Sequence, residues 1–180
     1  VDGAEAETEE QAMMKYRPVR SEKKWGKTPG EKAVILLATG FYTGYAPVVP
    51  GTFGTLVGIP AAFLLSWLRP GAAAVVLVVL IAVSCWIADR AEGIYGMKDP
   101  NDIVIDEVVG YMVTVWALPF TWVTVVAGFV LFRVLDILKP FPIRKVEGWI
   151  PGGAGVVMDD VLAGIYGWII LQGILRLWHG

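Results

Sequence analysis

Cysteine and histidine are almost missing from this chain, with one of each in 180 residues, and that scarcity excludes much chemistry. The lone thiol, Cys85, closes no internal disulfide; inside an apolar run, it reads as a small buried side chain. The one histidine, His179, is next to the last residue and reads as solvated. Neither a histidine-built metal centre nor a Ser-His-Asp triad is expected. A Cys-x5-Arg loop is absent, and so is an Asp-x-Asp-x-Thr/Val pattern, which disfavours two common phosphatase routes. The glycine-rich turns are followed by no Gly-Lys-Ser/Thr, which removes a Walker A loop. A large net charge is also lacking: the formal value is −2, so bulk charge suggests no nucleic-acid partner. The first 32 residues are polar, with no short apolar stretch leading to a small-residue cleavage site. Membrane insertion is therefore expected to use internal segments.

Apolar residues are abundant instead. They make up 56% of the chain, including eight tryptophans, and the mean hydropathy is +0.60. The excess lies in runs, read roughly as 53–68, 72–88, 103–118, 121–138 and 155–178. The uncharged 72–88 run is the clearest span. Several others are marginal against the ~20 helical residues that cross a hydrocarbon core. The expected fold is an all-α, multi-helix integral membrane bundle, with about four to five spanning or partly spanning helices. Residues 1–32 form a polar, partly basic tail, and residues 33–180 the helical domain. The tail's stretch 15–32 holds Lys15, Arg17, Arg20, Lys23, Lys24, Lys27 and Lys32 against Glu22 and Glu31. Basic residues mark the cytoplasmic side. Alternating the segments from there puts Arg90, Lys98, Lys139, Arg144 and Lys145 on that same side.

The acids that interrupt the apolar runs follow the same geometry. Asp106 and Glu107 open the third segment, Asp136 closes the fourth, and Asp159 and Asp160 open the fifth. All fall at the cytoplasmic end of the expected topology. Carboxylates within membrane segments are costly and tend to face the bundle interior, often at functional sites. Neighbours on a helix differ by about 100° in direction, so one member of each pair can face a shared centre. Oxygen ligands of this kind suit Mg²⁺. Arg133, Asp136 and Lys139 recur at i, i+3 and i+6, near one another on a helix. Basic residues beside acids suggest a phosphate clamp. Two glycine-rich turns, from Pro50 to Thr55 and from Pro151 to Gly155, precede helices whose N-termini have free N–H groups for phosphate; Thr52 and Thr55 are candidate phosphate-binding residues in the first.

These motifs, taken in order, resemble the phosphatidylglycerophosphatase A family. They are Gly40-Phe41 with Tyr45-Ala46-Pro47-Val48-Val49-Pro50-Gly51-Thr52-Phe53-Gly54-Thr55, then Asp99-Pro100 and Ile103-Val104-Ile105-Asp106-Glu107-Val108-Val109-Gly110. Next come Phe132-Arg133-Val134-Leu135-Asp136-Ile137-Leu138-Lys139-Pro140-Phe141-Pro142-Ile143, and Gly152-Gly153-Ala154-Gly155-Val156-Val157-Met158-Asp159-Asp160-Val161-Leu162-Ala163-Gly164. The resemblance runs from about Leu37 to Ile170.

The resemblance implies a Mg²⁺-dependent hydrolase of phospholipid biosynthesis, converting phosphatidylglycerol phosphate to phosphatidylglycerol. It also implies a multi-pass protein of the bacterial inner membrane, its site facing the cytoplasm. On that reading Asp106, Glu107, Asp159 and Asp160 are expected to hold metal. Arg133 and Lys139 offset phosphate charge, and Asp136 orients Arg133 or acts as general base; an aspartyl nucleophile stays open. The alternative is a cation transporter or channel using the same carboxylates, which would more often place them near mid-membrane in broken helices or repeats. A CDP-alcohol phosphotransferase would carry Asp-Gly-x2-Ala-Arg, absent here. A non-catalytic scaffold would use the acids as helix-packing pairs.

Overall fold

The computed structural model describes residues 24–179, apart from the side chains of 146–148, 178 and 179. The acidic start of the tail and its basic residues from Lys15 to Lys23 lie outside the described residues, as does the His179 side chain. The described chain forms seven α-helices and one 3-10 turn, Thr43–Tyr45, with no strand among the described residues.

The first helix, α1 (Pro29–Ala38), begins within the last residues of the expected tail. Its start is encoded locally. The Thr28 hydroxyl accepts from Glu31 N at 3.2 Å, Thr28 N donates to the Glu31 carboxylate at 3.4 Å, and Pro29 occupies the first turn. This is a capping box, worth about 1 kcal/mol. The second, α2 (Pro50–Ser66), starts on a proline preset for the first helical position. The third, α3 (Pro70–Tyr95), ends at Gly96, whose φ of 71° suits glycine. Next come α4 (Ile105–Thr114), α5 (Trp122–Leu138), α6 (Ile143–Trp149) and α7 (Gly153–His179). Thr121 caps α5 by accepting from Thr124 N at 3.2 Å.

Among the described residues, two helices are long and apolar enough to cross a bilayer: α3 with 26 residues, and the 25 residues Gly153–Leu177 of α7. On α3, Val75, Val76, Val78, Val79, Val83 and Trp86 are all exposed. A contiguous apolar face of this kind suits lipid rather than water. The 17 residues of α2 are at the lower limit for a span. The apolar stretch expected over 103–118 forms a much shorter helix. It stops at Thr114; Ala117 then takes a φ of 55°, and Pro119 follows. Ten residues rise only about 15 Å, half a hydrocarbon core.

This short helix is the centre of the bundle. Asp106, Val109, Gly110, Tyr111, Met112, Val113 and Thr114 are buried on it. It packs on α2, α3, α5 and α7. The approach to α7 is backbone-close. A β-carbon on Gly110 would lie 2.8 Å from the Asp160 carbonyl oxygen, and one on Gly164 would overlap the Gly110 carbonyl. Small residues let helices approach this closely in membrane bundles. Gly110 and Gly164 each lie one helical turn after a carboxylate, Asp106 and Asp160 respectively. The contact that joins the helices therefore also brings these acids together.

Candidate active site

The starts of α2, α4 and α7 and the end of α5 meet at one end of the bundle around a cavity of about 370 Å³. It is lined by Asp99, Asn101, Asp106, Glu107, Arg133, Asp136, Lys139, Asp159 and Asp160, with Val49, Pro50, Gly51, Ile103 and Val156. A second cavity, of about 250 Å³, lies at the other end of the bundle among Leu65, Met112, Trp116 and Pro119; no ionisable side chain lines it. Of these two, only the first is lined by both carboxylates and cations.

The floor of the polar cavity is carboxylate. Asp106, Asp159 and Asp160 are 7%, 2% and 3% exposed. One oxygen from each of Asp106, Glu107 and Asp160 lies within 4.8 Å of the others. At that distance two like charges repel by roughly 3.5 kcal/mol at an effective dielectric constant near 20. Asp106 Oδ1, Glu107 Oε2 and Asp160 Oδ2 are buried without a hydrogen-bond partner among the described residues. Buried polar atoms are normally satisfied, and a cation shared by these three carboxylates would satisfy them. The donor set, oxygen only and carboxylate only, fits a hard divalent ion such as Mg²⁺.

The cationic side chains are each tied to an acid. Arg133 Nη1 donates to Asp136 Oδ2 at 2.7 Å and lies 4.0 Å from Glu107 Oε1. Lys139 Nζ donates to Asp159 Oδ2. Burial works against the charge on Lys139, but the bond and charge of Asp159, then Asp160 and Asp136, outweigh it and push its pKa above the usual lysine range. Lys139 is the residue that ends α5, at a φ of 40°, and its N–H donates to Leu135 O at 2.8 Å. Val49 and Asp99 on the cavity wall also take positive φ, 44° and 47°. For a β-branched residue such as Val49 this is a true outlier. Strain of about 1–3 kcal/mol per residue gathers at functional sites, and three of the strained positions line this one cavity.

The seven charged residues singled out in the sequence all line the cavity. Within it they divide: Asp106, Glu107 and Asp160 cluster, whereas Asp159 is held by Lys139. Thr52 and Thr55 do not line it. Thr55 is fully buried, and its hydroxyl donates to Gly51 O at 2.9 Å within α2; Thr52 is half-buried beside it. The glycine-rich turn contributes Gly51 instead, at a point where a β-carbon would overlap Glu107 Oε1. Asp99 and Asn101, on the loop between α3 and α4, were not among the expected site residues. Their sequence signals are the Asp99-Pro100 pair, already among the motifs of the resemblance, and a polar turn shortly before the helix that carries Asp106.

Comparison with known proteins gives a consistent result. Residues 36–175 match the family model described as Phosphatidylglycerophosphatase A. The curated phosphatidylglycerophosphatase A of Escherichia coli (strain K12) is 39% identical over 144 residues, covering 79% of this chain and 84% of that protein. The protein of the same name from Haemophilus influenzae is 38% identical over 143 residues, 78% of this chain and 88% of its own length. A Bacteroides thetaiotaomicron protein provisionally named phosphatidylinositol-3-phosphatase is 39% identical over 146 residues, 76% of this chain and 90% of its own. No solved structure matches.

Proposed function

Because this chain belongs to the phosphatidylglycerophosphatase A family, we propose that it removes the terminal phosphate of phosphatidylglycerol phosphate, leaving phosphatidylglycerol, with Mg²⁺ held by Asp106, Glu107 and Asp160. The charge balance of the cavity carries this reading. Six carboxylates face two cations there, a formal excess of four negative charges. A phosphate dianion meets net repulsion in such a cavity unless a divalent cation shares it. When bound, Mg²⁺ would offset half of that excess and present positive charge to the phosphate oxygens.

The chain's own residues do the rest. Arg133 presents a planar fork suited to phosphate oxygens, and its bond to Asp136 positions it beside Glu107. Lys139 supplies a second positive charge, anchored by Asp159. The α4–α7 backbone contact holds Asp106 and Asp160 in place, so the carboxylates that would hold the cation need no reorganisation. Hydrolysis is then mainly positioning plus charge stabilisation, as is general for phosphoryl transfer.

The placement at one end of the bundle suits a lipid substrate. The head group reaches the cavity at the interface while the acyl chains stay beside the exposed apolar faces. We assign the protein to the bacterial inner membrane as a multi-pass enzyme of phospholipid biosynthesis, its cavity on the cytoplasmic side. Phosphate release by detergent-solubilised protein tests the reading. Phosphatidylglycerol phosphate should be hydrolysed with Mg²⁺ and not after chelation, and faster than phosphatidylinositol 3-phosphate. Release from no lipid phosphate would sink the enzyme assignment, and cation flux through proteoliposomes without hydrolysis would favour a transporter.

A further inference from the structure

We propose that Asp99 and Asn101 form a head-group subsite that reads the free hydroxyl of the substrate's glycerol and so sets its selectivity, an inference that rests on the phosphatase reading above. The cavity is graded from floor to rim. The orphaned carboxylates, Arg133 and Lys139 are buried or half-buried, whereas Asp99 and Asn101 line the same cavity and are exposed. A phosphate seated near Arg133 and Lys139 leaves the next part of the head group, the hydroxyl-bearing carbon, at the rim.

The chemistry of the pair matches a hydroxyl and not a second phosphate. An ionised carboxylate accepts from an O–H and repels a phosphate oxygen. An asparagine amide both donates and accepts. The loop is also held in position. The Asp99 N–H donates to Glu92 Oε1 at 2.8 Å, anchoring residue 99 to the last turns of α3, and Asp99 is kept at a φ of 47°. Glu92 is on this account a positioning residue, acting through Asp99.

The test compares kcat/KM on two diacyl phosphomonoesters in the same detergent with Mg²⁺: phosphatidylglycerol phosphate, which carries the hydroxyl, and phosphatidic acid, which does not. The ratio of the two should favour phosphatidylglycerol phosphate in the wild type. It should fall ~10-fold in Asp99→Ala, about the effect of one lost hydrogen bond to a charged group, with the change carried by KM. Glu92→Ala should move the ratio the same way by less. Asn101→Ala, a change at an exposed loop residue, carries the test alone if Asp99→Ala melts low. An unchanged ratio in Asp99→Ala and Asn101→Ala, with both substrates slowed equally, would overturn this subsite and leave the phosphatase reading standing. A wild type that hydrolyses neither lipid would overturn both.

Discussion

A β-carbon on Gly51 would overlap Glu107 Oε1 and lie 3.0 Å from Arg133 Nη1. The first residues of α2 thus touch the acid and the cation of the cavity through a position with no side chain. Glu107 is the far end of a flexible side chain and can move aside, so Gly51→Ala should fold. The carboxylate would then be displaced from Asp106 and Asp160. Misplacement of this size costs about 10²-fold in rate. The expected outcome is a ~10²-fold drop in phosphate release with a thermal midpoint close to wild type.

Asp106→Asn and Asp160→Asn each remove one charge from the repelling cluster. Both variants should melt no lower than wild type in metal-free buffer, since burying fewer like charges offsets lost contacts. Both should need far more Mg²⁺ for half-maximal rate and lose roughly 10²-fold or more in kcat. Full activity in both would remove these residues from the metal assignment.

Gly164→Ala differs, because the obstacle is the Gly110 carbonyl and not a movable side chain. Overpacking against backbone costs typically 1–3 kcal/mol. Thermal unfolding in detergent, followed by circular dichroism, should show a lowered midpoint. The residual activity should fall with it, since the same contact aligns Asp106 with Asp160.

Lys139 gives a pH prediction. Its pKa is raised in the folded protein, with desolvation opposing and Asp159 leading the favourable side. A raised lysine contributes stability that is fully present below its unfolded pKa, about 10.4, and is lost as pH rises through the folded value. Between pH 7 and 9.5 the stability gap between wild type and Lys139→Met should therefore stay constant, and it should shrink at more alkaline pH. A gap that closes below pH 9 would contradict the Lys139–Asp159 pair.

Much of this site was legible before the fold. Adjacent acids at the starts of two apolar segments can converge only if those segments start at the same end, and loop charge supplied that alignment. The spacing of Arg133, Asp136 and Lys139 placed one ion pair, since Arg133 and Asp136 are three apart on α5. The partner of Lys139 was not legible. It turned out to be Asp159, twenty residues away on another helix. The threonines of the glycine-rich turn show the same limit. Their residue type suggests phosphate, yet helical geometry directs the Thr55 hydroxyl back to Gly51 O. The shortness of α4 was hidden because the apolar stretch continues past Thr114, where the chain turns. Asp99 and Asn101 belong to a loop, and no periodicity reports which way a loop faces.

The central claim is that Asp106, Glu107 and Asp160 share one divalent cation in the cavity. Anomalous diffraction from crystals soaked in Mn²⁺, a stand-in for Mg²⁺ with a usable signal, tests it directly. The account predicts a peak within bonding distance of all three carboxylates, lost in the Asp106→Asn protein. A peak only at other carboxylates, or one unchanged in that variant, would contradict it.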